Sequence, residues 1–288
     1  MTTRKPLPYF DFLLDQIAQG NESLTAGFGH HVHWGYWPDP RSAACDDAGF
    51  ALAAERLTGE LCELAELSSG QRVLDAGCGF GGTVNFLNAH YHDMDLVGLN
   101  IDPRQLERAQ QLTHPLPGNR IVFCGGDACA LPFADASFDR VMAVECIFHF
   151  PSRRSFLQEA WRVLRPGGML VLSDFVPAGV MVPVMAAIDK TAWYQRLNYF
   201  GPCNVRCSSR QYRRLTAECG FELSVARDVT RNIMPTYRYL KGMIARMLGI
   251  ARLGPTVSWP IAFMQALGHT GMLNYHLLAM RKTDGPRA

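Results

Sequence analysis

The feature that most constrains the fold is a glycine-rich segment directly after a short apolar run. Residues 73–82 read Val-Leu-Asp-Ala-Gly-Cys-Gly-Phe-Gly-Gly, so four glycines fall within six residues. Glycine is costly to order, and it is used where the backbone must approach another group closely. A strand that runs into such a loop and then into a helix predicts a nucleotide-like ligand at the carboxyl end of that strand.

Apolar runs alternate with helix-like stretches through the middle of the chain. Short runs bounded by turn residues are typical of buried parallel strands, and intervening helices make a doubly wound α/β sheet with right-handed crossovers. The predicted strands are 72–77, 96–100, 121–124, 140–144, 169–173, 221–229 and 272–280. The predicted helices are 82–91, 103–112, 153–164, 208–219 and 237–248.

The remaining segments divide the chain into four predicted parts. Residues 1–70 are a helical lead-in and lid, 71–175 the ligand-binding core, and 176–207 an insertion that covers the site. Residues 208–288 complete the core and carry an inserted helical segment at about 231–270. We expect the three segments outside the sheet to assemble over one of its edges as a cap.

Composition excludes several classes of protein. The chain has 288 residues, 48% of them hydrophobic, and a formal net charge of +2, which is typical of a globular protein. Polar residues and prolines interrupt the longest apolar stretch, 168–188, so no membrane span is predicted. The nine cysteines contain no CxxC pair, and the N-terminus lacks the apolar run of a signal peptide, so we expect a cytoplasmic protein.

Charge is distributed unevenly along the chain. Residues 189–288 carry 15 basic and 5 acidic side chains, whereas residues 1–188 are acidic overall. The arginines of the basic part are dispersed, so no nucleic-acid track is predicted. Two interpretations stay open: a solvated face that pairs with the acidic part of the chain, or a set of arginines that holds an anionic substrate.

Asp75 precedes the first glycine by two residues, where its carboxylate would repel a pyrophosphate but pair with an ammonium group. The glycine-rich loop is the first of five motifs. The other four follow it in order, at 98–105, 126–133, 138–145 and 164–168. In these motifs the chain resembles the class I S-adenosylmethionine (SAM) dependent methyltransferases. The rest of the chain, including residues 33–37, resembles natural-product enzymes that act on small molecules, of the tocopherol- and sterol-methyltransferase type. This second resemblance is less specific.

The resemblance implies a Rossmann-like, seven-stranded, mostly parallel sheet with helices on both faces. It also implies SAM as cofactor, with S-adenosylhomocysteine as product, and a ribose site at Asn100 and an adenine acceptor at Asp127. Asn100 departs from the acidic residue that is common at the ribose position. The predicted cofactor-binding residues are Asp75, Gly77, Cys78, Gly79, Gly81, Asn100, Ile101, Gln105, Asp127, Ala128 and Glu145.

Candidate catalytic and substrate residues come from the fourth strand and the aromatic-rich segments. Glu145 and His149 follow the fourth strand, and His33 belongs to the predicted lid, so these three are the candidate catalytic residues. His30, His31 and His33 lack a partner acid at fixed spacing, and no metal site is predicted. The predicted substrate-binding residues are Trp34, Tyr36, Trp37, Trp193, Arg196, Tyr199 and Tyr237.

The expected reaction is methyl transfer from SAM to the oxygen, nitrogen or carbon of a small metabolite. A C-methyltransferase acting on an isoprenoid diphosphate, with arginines holding the diphosphate, is the first alternative. A SAM-fold protein that binds without catalysing is the second. The position of Asp75 disfavours an NAD-linked oxidoreductase. Neither a nucleic-acid partner nor a membrane span is expected, and a homodimer is left open.

Overall fold

The structure, a computed structural model, describes residues 7–188, 201, 203–247, 250 and 254–285, without the side chains of residues 23 and 255–257. Within these described residues, seven strands form one sheet. They are β1 (Arg72–Ala76), β2 (Asp95–Asn100), β3 (Arg120–Gly125), β4 (Phe138–Val144), β5 (Leu164–Pro177), β6 (Phe221–Asp228) and β7 (Leu273–Lys282).

Helices precede and connect the strands. They are α1 (Pro8–Ala18), α2 (Glu22–Phe28), α3 (Asp47–Leu64), α4 (Gly82–His90), α5 (Pro103–Leu112), α6 (Arg153–Val163), α7 (Met181–Ile188), α8 (Ser209–Glu218), α9 (Thr230–Ile233), α10 (Pro235–Met247) and α11 (Pro255–His269). Single 3-10 turns lie at Pro40–Ser42 and Ile147–His149. No helix in the described part of the chain is both long and apolar enough to cross a bilayer.

The strand order is β3-β2-β1-β4-β5-β7-β6. The five strands from β3 to β5 pair in parallel, whereas β7 runs antiparallel to both of its neighbours. The predicted α/β fold with a seven-stranded, mostly parallel sheet is therefore confirmed. Because β1 and β4 are central neighbours, their carboxyl ends open at one edge together with that of β2.

Two hydrophobic clusters cover the two faces of the sheet. Val73 and Leu74 are successive residues of β1, and they belong to different clusters because side chains alternate along a strand. Leu57 and Leu61 of α3 pack on the face of Val73, and α6 packs on the other. A third cluster joins α1, α2, α3 and α10 beside the edge of the sheet.

Several predicted boundaries needed correction. The fifth strand was predicted at 169–173 but spans fourteen residues, because β7 pairs with it as far as Pro177. The last strand reaches Lys282 rather than residue 280, since β6 pairs with it along its length. Part of the insertion predicted at 176–207 is helical, as α7 shows.

Candidate active site

The glycine loop turns from β1 into α4 beside the end of β2. Backbone amides of Gly77 and Cys78 donate to the carbonyl of Leu99 at 2.8 and 3.0 Å, which fixes the loop against β2. Gly79 has a φ of +54°, and a Cβ atom built on it would have no neighbour within 4 Å. This part of the loop therefore presents bare backbone to open space in a cavity of about 360 Å³.

Asp75 lies at the floor of this cavity and is almost fully buried. Burial raises the pKa of its carboxyl to about 7, and a hydrogen bond with Thr83 opposes that shift. Among the described residues, none is a hydrogen-bond partner of its Oδ2 atom. A buried acceptor without a partner is costly, so this oxygen is available for a cationic group of a ligand.

Asn100 ends β2 and holds the turn into α5. Its amide nitrogen donates to Oε1 of Gln105 at 2.9 Å, and its Oδ1 atom accepts from the backbone amide of Asp102 at 3.2 Å. Asp102 caps α5 and is held by Arg104, whose guanidinium lies 2.9 Å from Oδ2. These bonds within the protein fix the turn. Three of the predicted cofactor-binding residues at this turn line the cavity, namely Asn100, Ile101 and Gln105.

Asp127 and Ala128 line the cavity after β3. Oδ1 of Asp127 accepts a hydrogen bond of 2.8 Å from the backbone amide of Cys129. This bond orients the carboxylate within a tight turn, in which Asp127 also bridges to Ala130. The turn places an acceptor in the wall of the same cavity, and its contact with adenine stays a prediction.

Glu145 follows β4 with a positive φ of +49°, a conformation that is rare for residues other than glycine. Its backbone amide donates to Oγ of Ser173 at 3.0 Å. Its Oε1 atom accepts from the backbone amide of Trp34 at 2.7 Å and from the Tyr275 hydroxyl at 2.5 Å. Burial raises the pKa of this carboxyl to about 8, against the two hydrogen bonds, which lower it.

His149 ends the 3-10 turn that follows β4 and lines the same cavity. Its Nε2 atom lies 3.2 Å from the hydroxyl of Tyr9, which α1 carries in from the N-terminal part of the chain. Its Nδ1 atom lies 3.7 Å from Sγ of Cys203. Burial raises the pKa of Tyr9 well above its ordinary value, so its hydroxyl stays protonated at neutral pH.

His33 lies in a buried chain of hydrogen bonds. Its Nδ1 atom lies 2.9 Å from the carbonyl of Trp34, and its Nε2 atom 2.9 Å from Nδ1 of His31. His31 in turn lies 3.1 Å from a carboxylate oxygen of Glu55. Burial, and next the nearby His31, lowers the pKa of His33 to about 3, so the ring is neutral at neutral pH. Both ring nitrogens already have partners in the protein.

These features fit SAM. The oxygen of Asp75 without a partner suits the ammonium of the amino-acid part, the open backbone at Gly79 suits close approach, and Asn100 and Asp127 supply polar atoms along the cavity. The volume of about 360 Å³ lies in the range of small-ligand cavities. Among the described residues, no group of three or more histidine, cysteine or acidic side chains is placed to hold a metal ion.

Known proteins match this chain over most of its length. A family model described as a methyltransferase domain matches residues 74–172. Methyltransferase GfsG of Streptomyces halstedii is 36% identical over 228 residues, 77% of each chain. The 27-O-demethylrifamycin SV methyltransferase of Amycolatopsis mediterranei (strain S699) is 32% identical over 284 residues, 96% of this chain and 94% of that protein. The chain is a SAM-dependent methyltransferase of class I.

The predicted enzyme class and cofactor are thereby confirmed, as is the prediction of a small-molecule acceptor. Among solved structures, that of the cyclase SpnF superposes on this methyltransferase with a TM-score of 0.72 and covers 98% of both chains. Its sequence identity is 24%, so this likeness supports the fold alone.

All of the predicted cofactor-binding residues of the methyltransferase except Gly81 line the cavity. A Cβ atom on Gly81 would lie 3.1 Å from Ala109 and from the ring of Phe123, so this glycine lets α4 pack against α5 and β3. The candidate catalytic residues Glu145, His149 and His33 all line the cavity. The predicted residues along its wall are Asp75, Gly77, Cys78, Gly79, Asn100, Ile101, Gln105, Asp127, Ala128 and Glu145.

Among the described aromatic residues that were predicted to bind substrate, none lines this cavity, and their role in substrate binding stays a prediction; they are Trp34, Tyr36, Trp37 and Tyr237. Backbone hydrogen bonds draw their segment inward, from Tyr36 to the carbonyl of Ala53 and from Trp37 to that of Asn232. Trp37 is buried in the third cluster, and the ring of Trp34 packs edge-on against Tyr237 at 4.5 Å. Trp193, Arg196 and Tyr199 lie outside the described residues.

Sequence reasoning missed the contribution of α1 to the site. Leu7, Tyr9 and Phe10 line the cavity, and so do Cys146 and Phe150 near His149. Pro8 in the first turn of α1 is a helix-start signal that the sequence offered. No spacing rule connects that helix with β4, because their contact depends on residues 140 positions apart.

The arginines of the basic C-terminal part do not converge on the cavity within the described residues. Three of them pair instead with acids of the N-terminal part: Arg227 with Glu60 at 2.6 Å, Arg246 with Asp47 at 2.5 Å, and Arg281 with Glu66 at 2.8 Å. Arg238 donates to the carbonyl of Ala43 at 2.7 Å. These contacts favour the interpretation of a face that pairs with the acidic part of the chain.

Proposed function

We propose that this methyltransferase transfers the methyl group to a hydroxyl oxygen of a small, largely apolar metabolite, with His149 as the general base. The observation that carries the proposal is the contact of 3.2 Å between the His149 imidazole and the Tyr9 hydroxyl. Both residues line the cavity that Asp75, Asn100 and Asp127 also line. The protein thus holds a hydroxyl oxygen against an imidazole beside the cofactor residues, as an acceptor hydroxyl would be held.

When bound, SAM supplies a methyl group that is activated by its sulfonium. A neutral hydroxyl is a weak nucleophile, so a base must take its proton as the oxygen attacks, and histidine is the side chain most often used. His149 is placed for that step once the acceptor replaces Tyr9. His33 is less suited, because its pKa of about 3 and its bonds to Trp34 and His31 leave it a poor proton acceptor.

The character of the cavity supports an uncharged acceptor. Leu7, Phe10 and Phe150 line it, and none of its described lining residues is an arginine or a lysine. A diphosphate would need cationic partners there, so the cavity gives the isoprenoid alternative little support. The relative from Amycolatopsis mediterranei is named for O-methylation of a rifamycin, which agrees with an oxygen acceptor.

The test is methyl transfer from SAM labelled with ¹³C in its methyl group to a panel of hydroxylated polyketides and phenols. We expect products that are heavier by one labelled methylene unit, with an O-methyl chemical shift in the NMR spectrum. His149→Ala should lower kcat about 100-fold or more and leave the Kd for SAM unchanged. The control is His114→Ala, since His114 is exposed and does not line the cavity.

Products methylated on carbon or nitrogen would contradict the proposal, and so would unchanged kcat in the His149 variant. A cyclised product without the label would contradict it too, because the fold alone is shared with a cyclase. Three further points stay predictions: a lid made by residues 1–70 and 176–207, a location in the cytoplasm, and a homodimer.

A further inference from the structure

Glu145 uses one of its two carboxyl oxygens for hydrogen bonds within the described part of the chain. Oε1 accepts from the backbone amide of Trp34 at 2.7 Å and from the hydroxyl of Tyr275 at 2.5 Å. Oε2 has no hydrogen-bond partner among the described residues, and protein atoms do not enclose it completely. Glu145 lines the cavity that Asp75 and Asp127 also line, called the methyl-transfer cavity below, so Oε2 is the oxygen that reaches this cavity.

A ring of hydrogen bonds sets the direction of the bond between Tyr275 and Glu145. The backbone amide of Glu145 donates to Oγ of Ser173 at 3.0 Å. Burial raises the pKa of Tyr275 well above its ordinary value, so its hydroxyl keeps its proton, whereas a hydrogen bond with Ser173 lowers that pKa. A bond has this lowering effect when it is donated to the phenolic oxygen. The Tyr275 hydroxyl therefore accepts from Ser173 and donates its own proton to Oε1.

The carboxyl of Glu145 holds a proton in the free protein. Burial raises its pKa to about 8, the bonds from Tyr275 and Trp34 lower it, and the charge of Asp174 on β5 raises it. No cation of the described residues is among these influences, and a buried carboxyl without a cationic partner stays neutral. A carboxyl oxygen has two lone-pair positions, and both of those on Oε1 are used. The proton therefore lies on Oε2, which is a hydrogen-bond donor toward the cavity.

This donor lies within electrostatic reach of the place proposed for the acceptor hydroxyl. Burial and then nearby acidic groups, Glu145 among them, raise the pKa of Tyr9 on α1, of Tyr237 on α10 and of Cys146. The hydroxyl of Tyr9 is the one that lies 3.2 Å from the imidazole of His149. Glu145 and His149 also line the same cavity. One bound molecule can therefore contact both groups.

We propose that Glu145 determines acceptor specificity, because its Oε2–H group donates a hydrogen bond to a carbonyl oxygen of the methyl acceptor. The proposal rests on the proposed function, since this carbonyl and the hydroxyl at His149 belong to the same molecule. A carbonyl oxygen can only accept, so it binds the protonated carboxyl and is repelled by the carboxylate. A hydroxyl at this place could instead donate to the carboxylate and stay bound. The acceptor is therefore a hydroxylated carbonyl compound.

The experiment measures the Kd of two matched pairs of neutral probes by calorimetry. The full chain is loaded with S-adenosylhomocysteine, which prevents methyl transfer. The pairs are 4-hydroxy-1-tetralone with 1-tetralol and 2-hydroxy-1-tetralone with 2-tetralol, and the members of each pair differ by one carbonyl group. At pH 6 we expect at least one ketone to bind about tenfold more tightly than its alcohol, which one hydrogen bond can supply. This preference should fall as the pH passes about 8 and be lost by pH 9.5, because the carboxyl then lacks its proton.

Three variants test the assignment to Glu145. In Glu145→Gln the amide nitrogen replaces the Oε2–H donor, so the preference should persist and no longer depend on pH. Tyr275→Phe removes a bond that lowers the pKa of Glu145, so the loss of preference should move to higher pH. Glu107→Gln is the matched control, because Glu107 is exposed on α5 and does not line the cavity. It should keep the pH profile of the wild type.

The proposal would be overturned if neither ketone were preferred at pH 6, or if the preference persisted unchanged to pH 9.5 in the wild type. Loss of the preference at pH 6 in Glu145→Gln would overturn it as well, and so would an unmoved pH profile in Tyr275→Phe. These readouts are separate from the test of the proposed function, because binding requires no methyl transfer. Products methylated on carbon would refute O-methylation, whereas a preference that follows the pH as described would still support the carbonyl contact.

Discussion

Asp75 and Glu145 lie at the carboxyl ends of adjacent strands, and both are buried without a cationic side chain among their partners in the described part of the chain. Burial raises the pKa of each carboxyl to the neutral range, so each holds a proton over much of the pH scale in the free protein. A cationic ligand that enters the cavity therefore changes the protonation of the protein as well as its contacts.

The bare backbone at Gly79 should be required for SAM. In Gly79→Ala the new methyl group would point into the cavity, and we expect the affinity for SAM to fall at least tenfold, measured by calorimetry. Gly70→Ala is the control, because Gly70 also has a positive φ and no neighbour near its Cβ position, but lies outside the cavity. Equal losses of affinity would mean that backbone strain, and not cofactor space, explains the result.

The affinity for SAM should depend on pH through Asp75. The carboxylate pairs with the ammonium only after it loses its proton, so the association constant should fall about tenfold per pH unit below about 7 and level off above it. The affinity is measured by calorimetry in the Glu145→Gln background, because this substitution removes the second buried carboxyl. In Asp75→Asn the profile should become flat, and a retained slope would assign the titration to another group.

Glu145 should make the free protein less stable as pH rises. The unfolded chain loses this proton near the ordinary pKa of 4.5, whereas the folded protein keeps it up to about pH 8. Between these values the free energy of unfolding should fall by about 1.4 kcal/mol per pH unit, relative to Glu145→Gln. Urea titrations at pH 5, 6, 7 and 8 measure the difference, and parallel curves would refute the buried neutral carboxyl.

At the scale of single elements, α1 contacts the surroundings of the methyl-transfer cavity through three successive residues. Tyr9 contacts His149, the ring of Phe10 packs edge-on against Phe80 at 5.8 Å, and Asp11 lies 2.6 Å from Arg104. These partners follow β4, β1 and β2 in turn. One helix therefore contacts all three strand ends that surround the cofactor residues.

Asp11→Asn should loosen α1. The ion pair with Arg104 is partly exposed, so its loss is worth less than about 1 kcal/mol and should speed amide exchange in residues 8–18 about two- to fivefold. Asp15→Asn changes the same charge on the exposed side of the helix and serves as control. Exchange rates that match in the two variants would show that the ion pair does not hold α1.

The part of the site that lies at the ends of consecutive strands could be predicted from the sequence. Asp75 and Asn100 lie at the carboxyl ends of β1 and β2, and the alternation of strands and helices predicts that these ends lie at the same edge of the sheet. Gly79 and Asp127 follow β1 and β3 at that edge for the same reason. The inward packing of Trp37 could not be predicted, because it depends on backbone partners in distant segments. The role of Tyr9 was hidden for the same reason, since side-chain periodicity does not say where a separate helix docks.

For the molecule as a whole, the opposite charges of its two parts meet at the surface. The arginines of the three long-range pairs with Glu60, Asp47 and Glu66 are each more than two-fifths exposed, so each pair should contribute less than about 1 kcal/mol. The triple variant Arg227→Ala/Arg246→Ala/Arg281→Ala should lose less than about 3 kcal/mol in urea unfolding, and less still in 1 M salt. A larger loss in the free energy of unfolding that salt does not reduce would show that these pairs contribute more than surface ion pairs do.

The position of β7 has a consequence for biosynthesis. This strand lies between β5 and β6, so β6 has no neighbour in the sheet until residues 273–282 have left the ribosome. The strands that carry the cofactor residues are translated much earlier and can pair with one another in the nascent chain. During that interval β5 exposes an open edge, which is the kind of surface that chaperones shield and that unfinished chains use to aggregate.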